Sequence, residues 1–241
     1  VAAIDPFQVY YSQEARMYML LAVIGAAATY VLMVLLEKWL LERGDGGKGA
    51  GSKVFSSSLL LFLSLLYALG LYTHYAFPFV LITHFLIVIA WALTDRKQLL
   101  RHAITWVGIS VAAGVLFIPW LPIAIRQITT WPSTRVAVDT GAMLLDTLRL
   151  YVLGPAFPTA DATITLLIAG FFVIVSLWNP DSFEEPQAEA AHPLPYALRS
   201  GSIVLWWLIP VTLIFGFGLF KESYLKFLLI GSPAFCILLG C

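Results

Sequence analysis

Seven apolar runs alternate with shorter polar segments along this chain, at residues 17–36, 54–72, 77–93, 103–125, 161–178, 203–220 and 227–241. Most reach the roughly 17–25 residues that a helix needs to cross a bilayer. None shows the alternating ten-residue pattern of a membrane strand. A helix also satisfies every backbone N–H and C=O within its own segment, which hydrocarbon demands. The pattern therefore predicts an all-α fold: a polytopic transmembrane helix bundle of about seven spans, forming one domain over residues 1–241. Residues 1–16 are polar and aromatic, too mixed to span.

Composition points the same way. Of 241 residues, 60% are hydrophobic and 12% charged. A soluble domain carries about 25% charged residues, and a chain of this size needs a polar skin that this one cannot supply. Its outer face is expected to meet membrane lipids. The formal net charge is zero, which argues against nucleic acid as a partner. Cys236 and Cys241 lie in the last apolar run with no paired spacing, and are expected to behave as small apolar core residues. The chain begins at Val1 and stops inside an apolar run, so it reads as a piece of a longer protein.

Lysine and arginine set the orientation. Residues 37–53 hold Lys38, Arg43, Lys48 and Lys53, and residues 94–102 hold Arg96, Lys97 and Arg101. The positive-inside rule makes these two loops cytoplasmic. Parity then places residues 1–16, 73–76, 126–160 and 221–226 on the outer side. The third inner loop, 179–202, fits less well, with Arg199 against Asp181, Glu184, Glu185 and Glu189. Segment 126–160 is long for a connector. Within it, Met143, Leu144, Leu148, Tyr151 and Val152 share one helical face, and Asp146 and Arg149 lie three apart on the other. That spacing predicts a short helix lying in the membrane interface on the outer side.

The candidate chemistry gathers on the same side. Tyr10–Tyr18 reads YYSQEARMY, and puts Glu14 and Arg16 where the chain enters lipid. Charged groups there are costly unless solvated, paired or used. The alternative is a snorkelling pair beside an aromatic belt that includes Tyr11. LYTHYAF carries His74 and Tyr75; the imidazole is a candidate proton carrier or phosphate contact, or else a capping group. His84 and Thr83 lie deeper, suited to function or to interhelical hydrogen bonding. KESYLKF carries Lys221 and Lys226, which could hold a phosphate at the surface or simply anchor a span. Carboxylate, imidazole and ammonium above a lipid-immersed bundle suit a substrate that is half lipid and half polar phosphate. The histidines show no metal-ligand spacing, and no phosphate-cradling glycine loop occurs in a strand–loop–helix setting.

Four segments resemble a known family in the same order. They are FQVYYSQEARMYMLL, GLYTHYAF, FIPWLPIAIRQ and ESYLKFLLIGSPAFCILLG. The resemblance is to membrane glycosyltransferases of the GT-C superfamily, the dolichyl-phosphate-mannose–protein mannosyltransferase-like and aminoarabinose transferase-like enzymes. It implies transfer of a sugar from a polyprenyl-phosphate donor to an acceptor hydroxyl on a protein, lipid or glycan. The site would lie at the extracytoplasmic face of the plasma (inner) membrane. The family's principal catalytic Asp belongs to an outer loop upstream of the first motif, so this piece alone would be inactive. By the same resemblance Glu14 is a second catalytic carboxylate, with a possible role as ligand to a divalent cation (Mg or Mn). Tyr11, Arg16, His74, Tyr75, Lys221 and Lys226 are the substrate-binding candidates. Lys226-Phe227 stands where the family has Arg-Tyr, which keeps a positive charge but loses the bidentate fork. The competing expectation is a multi-span transporter or flippase of a lipid-linked or amphipathic substrate. No internal repeat of transporter type is evident.

Overall fold

The computed structural model describes residues 17–44, 50–94, 99–129, 140–153, 163–177, 196–218 and 227–239. Short turns apart, the described residues are helical, with no strand among them. The helices are α1 (Met17–Gly44), α2 (Ala50–Thr73), α3 (Phe77–Thr94), α4 (Leu99–Phe117), α5 (Leu121–Thr129), α6 (Thr140–Leu153), α7 (Thr163–Leu177), α8 (Tyr196–Gly216) and α9 (Ser232–Leu238). Three stretches, Met17–Trp39, Leu100–Gln127 and Leu198–Gly216, are long and apolar enough to cross a membrane. Ser57–Thr73 and Phe77–Leu93 are shorter apolar helices.

The long helices are apolar on both faces. In α1, Leu21, Ile24, Ala28, Leu32 and Leu35 recur at three- and four-residue spacing and are buried. Leu20, Val23 and Tyr30 are exposed. A helix apolar all round, packed on one face and bare on the other, suits lipid rather than water. The run Leu100–Gln127 carries this further, since only 22% of its apolar window is buried against 56% for Met17–Trp39. Ile104, Val107, Val111 and Val115 are exposed along it.

The chain divides into two compact units. One comprises Val23–Pro132 and Pro180–Ser202. In it α2, α3 and α4 pack on one another. A three-residue turn joins α2 to α3. The His74 N–H donates to Gly70 O at 3.1 Å, and the Phe77 N–H to His74 O at 3.0 Å. Pro78 follows in the first turn of α3, where its missing N–H leaves no helical bond unmade. Gly70 allows the close approach: a Cβ there would overlap the buried Phe77 ring. The run through α4 passes into α5 by one 3-10 turn, Ile118–Trp120, at Pro119. At the far end of α3, His102 is buried between two indoles. It stacks on Trp39 with centroids 4.3 Å apart at 27° and meets Trp91 edge-on at 4.4 Å and 69°.

The other unit comprises Val1–Ala22, Ser133–Asn179 and Ile203–Cys241. Here α6 packs on α7, and α9 packs on α7 as well. Residues 227–230 form a 3-10 turn before α9. The last apolar run is therefore a turn plus a seven-residue helix across its described part, not one continuous helix. Tyr151 is buried and donates its hydroxyl to Leu228 O at 2.7 Å. Its ring meets Trp207 and Phe235 with centroids at 6.2 and 5.1 Å. Cys236, next to Phe235 in the chain, is buried as a small core residue. The segment expected to form a helix at 142–153 does so. Arg149 and Asp146 pair across one turn at 2.6 Å.

Candidate functional site

The turn between α2 and α3 gathers the described site residues. His74 is buried, and its Nδ1 accepts the Ala76 N–H at 3.0 Å. Burial pushes the imidazole down from 6.5 to about 4, because a cation loses its hydration there. At neutral pH the ring is therefore uncharged, with the Nδ1 lone pair engaged and the remaining proton on Nε2. A proton carrier needs a pKa near the working pH, so this geometry favours a polar contact over proton transfer. Tyr75, next in the chain, is half-buried and donates its hydroxyl to Gln127 Oε1 on α5.

Tyr72, one turn earlier, strengthens the same junction. Its hydroxyl donates to Leu116 O at 2.9 Å. Its ring meets Phe117 at 5.3 Å and 75°, and Trp120 at 6.1 Å and 53°. Leu116 and Phe117 end α4, where carbonyls lose their helical partners at the transition to the 3-10 turn. The turn at Pro119 thus frees an acceptor, and Tyr72 fills it. Two segments quoted above, GLYTHYAF and FIPWLPIAIRQ, meet side by side as a result.

Gln127 and its neighbour Arg126 were not among the expected site residues. Both are exposed at the end of α5, beside the turn that bears His74 and Tyr75. The signal was present as an Arg-Gln pair closing an apolar run. Sequence spacing alone does not reveal that Gln127 returns to Tyr75.

Deeper in the same unit, a second polar group bridges three helices. His84 is fully buried on α3. Its Nδ1 lies 2.8 Å from Tyr67 Oη on α2, and its Nε2 lies 2.9 Å from Thr29 Oγ1 on α1. Thr83 instead turns back to Phe79 O at 2.8 Å within its own helix. Thr29 reaches His84 because its helix is slim there. It belongs to the stretch Gly25-Ala26-Ala27-Ala28-Thr29, and small residues let helix backbones approach closely.

The other expected site residues, Tyr11, Glu14, Arg16, Lys221 and Lys226, lie outside the described residues. So the structure brings together His74 and Tyr75, adds Gln127, and leaves the carboxylate and both lysines unplaced. Among the described residues no group of three or more His, Cys, Asp or Glu is gathered to hold a metal ion; Glu14, the expected cation ligand, is not one of them. No family model, characterised protein or solved structure matches this chain.

Proposed function

We propose that this chain is part of an integral membrane glycosyltransferase. It would move a sugar from a polyprenyl-phosphate donor to an acceptor hydroxyl at the extracytoplasmic face of the plasma membrane. The observation that carries the reading is the meeting of two resembling segments at one junction, through Tyr75–Gln127 and Tyr72–Phe117. Those segments lie some fifty residues apart, so their meeting is a property of the fold and not of adjacency in sequence.

In this reading the chain makes about seven crossings, and α6 lies in the outer interface. Aromatic rings lie at both ends of α4: His102 with its two indoles near one end, Trp120 with Tyr72 just beyond the other. Trp120 lies eighteen helical steps beyond His102, about 27 Å at 1.5 Å per residue, close to the hydrocarbon thickness of about 30 Å. Aromatic side chains prefer those two depths.

The chemistry assigned to the site is general-base activation of the acceptor hydroxyl. That oxygen attacks the anomeric carbon, and the lipid phosphate leaves. Glu14 is proposed as a carboxylate near the reacting centre. Arg16, Lys221 and Lys226 would neutralise the departing phosphate, and Tyr11 and the His74–Tyr75 turn would contact the substrate. A divalent cation at Glu14 would add Lewis-acid stabilisation of the same phosphate.

The test is transfer of radiolabelled sugar from a polyprenyl-phosphate donor in membranes carrying the full-length protein that contains this chain. Glu14→Gln is expected to lower transfer by about a hundredfold or more, within the range for loss of a general base, with membrane insertion unchanged. Lys226→Ala should raise the donor KM. Undiminished transfer by Glu14→Gln removes that residue from the site. Movement of the lipid-linked sugar across the bilayer without consumption would replace the transferase reading with a flippase.

A further inference from the structure

We infer that Thr29, His84 and Tyr67 form a tautomer-locked clamp across α1, α2 and α3 that positions the His74–Tyr75 turn. The lock follows from counting protons. Thr29 Oγ1 lies 2.8 Å from Gly25 O and 2.9 Å from His84 Nε2. Its one proton goes to the carbonyl, which can only accept. His84 Nε2 must then carry the ring proton and donate it to Thr29. That leaves Nδ1 bare to accept the Tyr67 hydroxyl at 2.8 Å. Every proton in the chain has a place, with a neutral ring.

The opposite tautomer fails the same count. With the proton on Nδ1, Tyr67 becomes the acceptor. Its own hydroxyl proton then has no acceptor among the described residues, although Tyr67 is fully buried. An unmatched buried donor costs about 1–3 kcal/mol.

The clamp reaches the turn through packing. Tyr67 meets Phe77 edge-on, centroids 6.2 Å apart at 62°. Phe77 occupies the notch at Gly70. Gly70 O holds the His74 N–H, and His74 O holds the Phe77 N–H. A rotation of Tyr67 therefore displaces Phe77, and Phe77 begins the helix that follows the turn. Among the described residues His84 bonds Thr29 and Tyr67, and neither His74 nor Tyr75. It acts through Tyr67 as a positioning residue.

The experiment is nitrogen-15 histidine spectroscopy of the whole chain in lipid bilayers, with His74 and His84 assigned by single substitution. His84 is expected as the Nε2-protonated neutral form. Thr29→Val keeps the side-chain shape but removes the acceptor, so the His84 tautomer preference should be lost and the His74 signal should move. Thr29→Ser should restore both. Tyr67→Phe, which keeps the ring against Phe77, should move the His84 signal and, more weakly, that of His74. An Nδ1-protonated His84 overturns the lock. A His74 signal indifferent to both Thr29→Val and Tyr67→Phe overturns the positioning.

Turnover enters only through the transferase reading. Given that activity, Thr29→Val should lower kcat about tenfold with donor KM little changed, and Thr29→Ser should recover it. If the spectra behave as expected and the full-length protein that contains this chain transfers no sugar, the clamp stands and the transferase reading falls.

Discussion

Each unit buries a tyrosine completely, yet the two hydroxyls are satisfied in different ways. Tyr67 donates to a side chain, the imidazole of His84. Tyr151 donates to a backbone carbonyl, Leu228 O. The difference follows from what surrounds each ring. Around Tyr67 the helices are regular, and the acceptor its hydroxyl meets is another buried side chain. Around Tyr151 the chain at 227–230 is a 3-10 turn, whose carbonyls keep a lone pair accessible. A break in helical regularity does for Tyr151 what a buried histidine does for Tyr67.

Each unit also tucks a glycine under an aromatic side chain, and the comparison orders the expected effects of filling those spaces. At Gly70 a new Cβ would overlap the ring of the fully buried Phe77. Gly70→Ala should destabilise by about 3 kcal/mol, the upper end for overpacking, read as a loss of thermal stability in detergent micelles. Gly70→Ala with Phe77→Leu should recover most of that loss. A tolerated single substitution would show that the α2–α3 contact is looser than the structure has it.

Acid should come next in size, and should act on one unit through the turn. The folded His74 pKa near 4 lies below the ordinary 6.5. The unfolded chain therefore binds a proton that the folded turn refuses. Stability is full above pH 6.5 and falls as pH drops from 6.5 toward 4. At pH 5 the loss should be about 2 kcal/mol, from 1.36 kcal/mol per pH unit. His74→Gln should flatten this part of the pH profile. A slope that survives the substitution would assign the acid sensitivity elsewhere.

The smallest effects belong to the tyrosine–backbone bond. At Gly231 a Cβ would lie 3.0 Å from Tyr151 Oη and 3.3 Å from Trp207 O, distances a slight shift can relieve. Gly231→Ala should cost about 1–2 kcal/mol, and less in a Tyr151→Phe background. Tyr151→Phe alone should cost about 1 kcal/mol, the usual value for one hydrogen bond. Equal costs for Gly231→Ala in both backgrounds would mean that the Trp207 backbone, not the hydroxyl, sets the limit.

Much of the helical scaffold was legible because hydrophobic runs of membrane length report local structure directly. The segments at 17–36, 54–72, 77–93 and 103–125 all fall within described helices, and the turn at 73–76 showed in the polar cluster between two runs. Long-range partners were not legible. Nothing in the spacing of Tyr75 and Gln127, or of Thr29 and His84, says that they meet. Those contacts depend on how helices cross, which small residues such as Gly25 and Gly70 permit but do not announce. The broken course of residues 227–238 was also missed, because Gly231 and Pro233 sit inside a sequence apolar enough to read as one run.

The short turn at 74–76 has a consequence for the order in which the molecule is made. Because only three residues separate α2 from α3, the two can leave the ribosome and pair as a hairpin. Tyr75 is then in place before its partner exists, since Gln127 lies 52 residues downstream. At about 5–20 residues per second, the tyrosine waits roughly 3–10 seconds for the glutamine to be synthesised. The junction is thus a late closure, completed only when the run through α4 and α5 has followed the hairpin out of the ribosome.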